Sequence, residues 1–186
     1  MISTNEVKPG MALNLGDGLF TVVECQHVKP GKGKAFVRMK LKNLETGAVI
    51  DRTFRAGENV EDAKIDRSDY QFLYKDDLGF NFMDTVSFEQ LSVAADLIGD
   101  TASYLVEGSM AQLSMYNDSP IGIDLPAAVE LEVTYAEPGV KGDRVSGATK
   151  PVTLQTGLVV QAPLFIEQGD IVKVDTRSGD YITRVS

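Results

Sequence analysis

Short runs of alternating apolar and polar residues, cut by turn signals, constrain this chain more than any other feature. Gly16-Asp-Gly18, Glu45-Thr-Gly47, Lys75-Asp-Asp-Leu-Gly79, Asn117-Asp-Ser-Pro120 and Thr176-Arg-Ser-Gly179 each close one run and open the next. The runs between them are too short for long helices and rich in β-branched and aromatic residues, which predicts strands joined by tight turns. One stretch departs from this. Ser87-Phe-Glu-Gln90 has capping-box spacing, and Leu91, Ala94, Ala95 and Ile98 recur at helical intervals, so a short helix is expected there.

The runs group into three units. Residues 1–64 predict a small SH3-like barrel, with strands at 12–15, 20–27, 36–44 and 48–54 and a polar stretch at 55–62 that allows one helical turn anchored by Val60. Residues 65–126 predict an oligonucleotide-binding-type (OB) barrel with strands at 70–74, 80–83, 110–116 and 121–125. Residues 127–186 predict a second OB-type barrel, whose long Gly- and Pro-punctuated loop at 137–151 has the length of a functional or disordered loop. The expected fold class is all-β, three small barrels in an elongated arrangement. Tyr70, Phe72, Tyr74, Phe80 and Phe82 invite a base-stacking reading, but in so acidic a segment they are expected mostly in the core.

One turn differs from the rest. Lys29-Pro-Gly-Lys-Gly-Lys-Ala-Phe36 joins two strand-like runs and carries three lysines with no acidic residue among them. Pro30 cannot donate to a strand ladder, and Gly31 and Gly33 weaken one, so the tip should leave the strands as a mobile cationic loop centred on Lys32. The plain alternative is a solvated turn whose lysines guard an edge against aggregation.

Charge is distributed unevenly. The chain carries a net −9; residues 1–64 hold ten basic and eight acidic residues, residues 65–126 two and eleven, and residues 127–186 six and eight. An acidic chain does not bind nucleic acid by bulk attraction, because neutralising phosphate takes local cations. A basic tip on a nearly neutral first unit can supply them, with the acidic middle discouraging nonspecific adhesion. The single cysteine, Cys25, rules out an intramolecular disulfide and fits a reducing cytoplasm. With one cysteine and one histidine, a Cys/His zinc site is out of reach. A catalytic triad would have to use His27, which reads better as a partly exposed strand residue. No phosphate-cradling Gly motif is present and the carboxylates form no catalytic pattern, so neither an enzyme nor a metal or diffusible cofactor is expected. No apolar run is long enough to span a bilayer, and the polar N-terminus predicts no signal peptide.

Three groups of residues together resemble one family, bacterial elongation factor P. They are the tip Lys29-Pro-Gly-Lys-Gly-Lys-Ala-Phe36; Leu41-Lys-Asn-Leu-Glu-Thr-Gly47 with Arg52-Thr-Phe54; and Glu137-Pro-Gly-Val-Lys-Gly-Asp143 through Lys150-Pro151, Thr156-Gly157 and Pro163-Leu-Phe165 to Val174-Asp-Thr-Arg-Ser-Gly-Asp-Tyr181. Tyr70-Gln-Phe-Leu-Tyr74, Phe82-Met-Asp84 and Phe88-Glu-Gln90 also resemble it, and the ordered combination covers essentially the whole chain.

The resemblance implies a tRNA-shaped monomeric factor that enters the ribosome between the P and E sites, touches both subunits, and speeds peptide-bond formation on stalled ribosomes, above all at consecutive prolines. It implies that Lys32 is the family's tip residue, contacts the acceptor end of P-site peptidyl-tRNA, and is extended covalently by a lysine-modifying enzyme. Lys29, Pro30, Gly31, Gly33 and Lys34 become loop contacts to RNA. Gly142, Asp143, Arg144, Ser146 and Gly147 become a loop facing the small subunit and codon, with Arg144 standing where the family commonly has a small polar residue, and Val152 where alanine is usual. The rival reading is a stand-alone RNA-binding or RNA-chaperone β-barrel protein with affinity for free single-stranded RNA.

Overall fold

The structure, a computed structural model, describes residues 1–139 and 147–186. Sixteen strands dominate it: β1 (Ile2–Ser3), β2 (Ala12–Asn14), β3 (Leu19–Val28), β4 (Phe36–Asn43), β5 (Val49–Arg55), β6 (Asn59–Asp62), β7 (Asp66–Asp76), β8 (Gly79–Asp84), β9 (Gln90–Val93), β10 (Met110–Tyr116), β11 (Ser119–Asp124), β12 (Ala128–Ala136), β13 (Thr149–Leu154), β14 (Val159–Pro163), β15 (Ile171–Asp175) and β16 (Tyr181–Arg184). One four-residue helix, α1 (Ala95–Ile98), runs into a 3-10 turn over Gly99–Tyr104. The all-β expectation holds. The chain clusters into two compact units, Met1–Ser68 with Leu113–Gly122 and Asp69–Gln112 with Ile123–Ser186.

The first sheet runs β1-β6-β2-β3-β4-β5. Its core gathers Val7 from the connection between β1 and β2 with Leu13, Phe20, Val22, Val37, Met39, Leu41 and Val60, the inward residues of β2, β3, β4 and β6. The stretch at 55–62 forms no helical turn. It turns back through a hydrogen bond from the Glu58 N–H to the Arg55 carbonyl and becomes β6, paired with β1 and β2. Val60 is the buried anchor of that strand. Partners on both sides give it ladder bonds that a polar tetrapeptide would not find alone.

A second sheet has the order β11-β10-β7-β8-β9. Phe72, Phe80 and Phe82 pack in its core, with ring centroids 5.8 Å apart for Phe72 and Phe80 and 5.4 Å for Phe72 and Phe82. Tyr70 is buried as well, while Tyr74 is half exposed. The helix expected after Ser87 begins only at Ala95, with no side-chain cap at Ala94. Residues 90–93 pair with β8 instead. Ser87 does not cap a helix: its N–H is held by Asp84 Oδ1 at 3.0 Å, inside the turn that joins β8 to β9.

The third sheet runs β14-β13-β12-β15-β16. β12 pairs with β15 over its first half and with β13 over its second, with an irregularity between Val133 and Tyr135, so one strand joins both halves of a curled sheet. Leu131, Val133, Val152, Leu154, Val160, Ala162, Ile166, Val172 and Val174 fill it. The loop expected over 137–151 ends sooner than its punctuation suggests, because Thr149 to Leu154 form β13 against β14. Pro151 lies one residue beyond the last β12–β13 rung, Ala136 with Val152, so the missing N–H costs that ladder nothing.

Candidate functional site

The long hairpin β3–β4 carries the lysine loop. Its ladder runs from Phe20 opposite Asn43 to Val28 opposite Phe36, leaving residues 29–35 as the loop. Along β3 the register slips once, between Val22 and Glu24, so Val23 is an extra residue. Before that bulge Phe20 and Val22 point inward. After it Cys25, opposite Met39, takes the inward phase and is half-buried, while His27, opposite Val37 near the hairpin's end, is exposed. Glu24 and Gln26 are thereby turned outward, opposite Lys40 and Arg38. Val37 and Met39 are fully buried, so the hairpin stays seated on the core almost to its last rung.

The two feet of the loop are held differently. Phe36 pairs with Val28 on one side and with Arg55 of β5 on the other. The Ala56 N–H donates to the Ala35 carbonyl at 3.1 Å, extending that support by one residue. Arg55 is fixed in turn. Its carbonyl accepts the hydroxyl of buried Thr4 at 2.9 Å and the N–H of Glu58 at 3.1 Å. Thr4 thus braces the loop's distal foot through β5, a role that nothing in its sequence context announced.

Lys29, Pro30, Gly31, Lys32, Gly33 and Lys34 are all exposed. Among the described residues, the ion pairs of the first sheet are Met1 with Asp62, Lys40 with Glu24 and Arg52 with Asp17, and none involves a tip lysine. Gly33 takes φ 112, a conformation other residues avoid, whereas Gly31 needs no such freedom. The outcome is three ammonium groups on one short loop, each with free donors and no local carboxylate. Such a group suits phosphate and sugar oxygens.

Chemistry beside the loop is sparse. His27 is exposed on β3, and its Nε2 lies 3.8 Å from Cys25 Sγ. Burial pushes the Cys25 thiol up, away from thiolate reactivity. Among the described residues no three His, Cys, Asp or Glu side chains gather as a metal site. Below the loop, the outer face of the hairpin holds a polar concavity of about 220 Å³ lined by Glu24, Gln26, Arg38, Lys40 and Asp51. Lys40 and Glu24 are 3.5 Å apart there, so opposite charges neutralise one another on the hairpin's outer face but not at the tip.

Of the loop expected in the third unit, Gly142, Asp143, Arg144 and Ser146 lie outside the described residues, and Gly147 is exposed with φ 85. Sequence reasoning missed what closes the base of that loop. Lys150, on β13, is buried, and its Nζ donates to the Glu137 carbonyl just past β12 at 2.5 Å.

Small β-sheet units that hold out an exposed loop of three lysines define a class of protein with a cationic tip, whose ammonium groups are chemically suited to an anionic surface. Family models narrow the class: the "Elongation factor P (EF-P) KOW-like domain" matches residues 3–60, the "Elongation factor P (EF-P) OB domain" 65–123, and "Elongation factor P, C-terminal" 129–184. The chain is 52% identical over 184 residues to the elongation factor P of Moorella thermoacetica, covering 99% of this chain and all of that one. It is 50% identical to that of Acidothermus cellulolyticus and 48% to that of Leifsonia xyli subsp. xyli, with full coverage of both partners in each case. Among solved structures, translation initiation factor 5A from Methanococcus jannaschii aligns with a TM-score of 0.53 at 20% identity, covering 67% of this chain and 90% of that one; this likeness shows the shared fold. The chain belongs to the elongation factor P family and is a translation elongation factor.

Proposed function

We propose that this factor binds the ribosome between the P and E sites and stimulates peptide-bond formation on stalled ribosomes, above all at consecutive prolines. Lys32 reaches the acceptor end of P-site peptidyl-tRNA. A lysine offers a flexible stem and a compact ammonium with three donors, and a covalent extension by a lysine-modifying enzyme lengthens that reach. Lys29 and Lys34 contact phosphates and set the loop's position without reading sequence. The effect is orientational. The tip holds the tRNA end in a reactive geometry and lowers the entropic part of the barrier, while the ribosome carries out the chemistry. The domains divide near residues 64 and 126, and the loop containing residues 142–147 turns toward the small subunit.

The observation that carries this reading is the loop itself: six consecutive exposed residues, 29–34, with three lysines that form no ion pair among the described residues, on a hairpin braced to its last rung. The test is a reconstituted translation assay on a template encoding consecutive prolines, with protein from the native host and its Lys32→Ala variant. Rescue of stalling by the wild type and loss in the variant, at equal thermal stability, is the expected result. Full rescue by Lys32→Ala overturns the assignment. Tight binding of wild-type protein to free single-stranded RNA would favour the stand-alone RNA-binding reading instead.

A further inference from the structure

The turn between β8 and β9 carries an apolar projection that folding does not explain. Asp84 organises it. Its Oδ1 accepts the N–H groups of Val86 at 2.7 Å and Ser87 at 3.0 Å. Its carbonyl accepts the Phe88 N–H at 3.0 Å, and its own N–H donates to the Glu89 carbonyl at 2.9 Å. Thr85 ties the turn to β7, donating its N–H and hydroxyl to the Asp69 carbonyl at 3.2 and 3.0 Å. So thoroughly bonded a turn has one shape. Yet its two large side chains face water, Val86 at 85% and Phe88 at 69% exposure.

Phe88 also has φ 61, in the left-handed region that bulky side chains avoid. Glycine or asparagine would sit there at less cost. The residue therefore gains neither burial nor a favoured backbone conformation, and strain of this kind persists mainly where contact with another molecule repays it.

Charge decides what that molecule is. Asp69, Asp84 and Glu89 belong to the same turn and its brace, and residues 65–126 carry eleven acidic residues against two basic ones. Carboxylates around an apolar anchor repel a phosphate backbone, and the pair together suits a basic protein surface with an apolar pocket. We propose that Val86 and Phe88 insert into such a pocket on a basic protein component of the ribosome, giving the factor a protein contact distinct from its RNA-directed loop. This rests on the ribosome-binding reading above.

The test measures binding of wild type and Phe88→Gly to purified ribosomes, together with a photo-crosslinking amino acid placed at 88. Phe88→Gly removes the ring and relieves the backbone. The expected result is a loss of affinity of roughly tenfold or more with an unchanged or raised thermal midpoint, and a crosslinked product that protease destroys and ribonuclease spares. Wild-type affinity in Phe88→Gly, or crosslinking to ribosomal RNA, overturns the protein anchor while leaving the ribosome reading intact. Absence of wild-type binding overturns both.

Discussion

Arg55 stands opposite Phe36 in the β4–β5 ladder, at the last rung before the lysine loop, and its carbonyl accepts the hydroxyl of buried Thr4 at 2.9 Å. A residue at the far N-terminal edge thus holds a strand end that holds the loop's foot. Among the described residues, the opposite foot, Val28, has β4 alone as its strand partner. The loop is therefore fixed at its C-terminal side and freer at its N-terminal side, which suits a tip that must reach while its base stays in register.

Thr4→Val keeps shape and removes the donor, leaving the Arg55 carbonyl one partner short. Urea denaturation should show a loss of about 1–2 kcal/mol. Stalling rescue by the variant should fall as well, at a temperature where it is fully folded. Unchanged rescue would show that the brace serves stability alone.

Gly33 and Gly31 separate space from conformation at the tip. A Cβ at Gly31 meets nothing within 4 Å, and one at Gly33 comes only to 3.8 Å from Pro30 Cγ, but Gly33 has φ 112. Gly33→Ala should therefore reshape the loop and reduce activity, with Gly31→Ala close to wild type. Amide chemical shifts of residues 29–35 in the two variants check this, and equal perturbation by both would refute it.

These glycines are legible in the sequence, as are the hairpin and the burial of Tyr70, Phe72, Phe80 and Phe82, because local pattern and tertiary outcome agree there. The failures share a different cause. Residues 59–62 are mostly polar and form a strand only because β1 and β2 supply partners. Ser87 to Gln90 match a capping box, but Asp84 already holds the N–H groups at the turn, and Gln90 onward is claimed by β8. Lys150-Pro151 looks like loop punctuation, yet β14 recruits it. At the site, Val22-Val23 breaks the alternation and is the available signal for the bulge that turns Glu24 outward. Thr4 gives none, since its partner lies 51 residues away.

At Gly79 a close approach forbids any side chain. A Cβ there would overlap the Val93 carbonyl oxygen, which is backbone and cannot step aside, and φ is +145. Gly79→Ala should cost about 2–4 kcal/mol by forcing β8 from β9. Gly16→Ala, with φ +83 and open space around it, should cost about 1 kcal/mol. Thermal melts of both variants test the ranking, and equal costs would contradict it.

Lys150 closes the base of the connection between β12 and β13 by its bond to the Glu137 carbonyl. Lys150→Met keeps the apolar stem and removes the ammonium. It should destabilise by about 1.5–3 kcal/mol and raise amide exchange at residues 136–139 before the core of Leu131, Val133 and Val174 is affected. Uniform loss of protection across that core would instead indicate a global packing role.

Acid should unfold the protein through its turns. Asp84 is held below the ordinary carboxylate range by the N–H groups of Ser87 and Val86, Asp175 by those of Ser178 and Arg177, and Asp76 first by the Asn81 amide and then by the Leu78 N–H. Asp17 is lowered by its bidentate bond to Arg52, at 3.2 and 2.6 Å. In each case the folded carboxyl binds a proton less readily than the unfolded one. The stabilisation is therefore complete above the unfolded value of about 3.9 and is lost as pH falls through the lower folded value. The thermal midpoint should stay level from neutral pH down to about pH 5 and drop steeply below about pH 4. Replacing Asp84 and Asp175 together by asparagine keeps an acceptor oxygen at each turn but removes the titration, so the acid slope should flatten. A double variant with the full wild-type slope would place the acid sensitivity elsewhere.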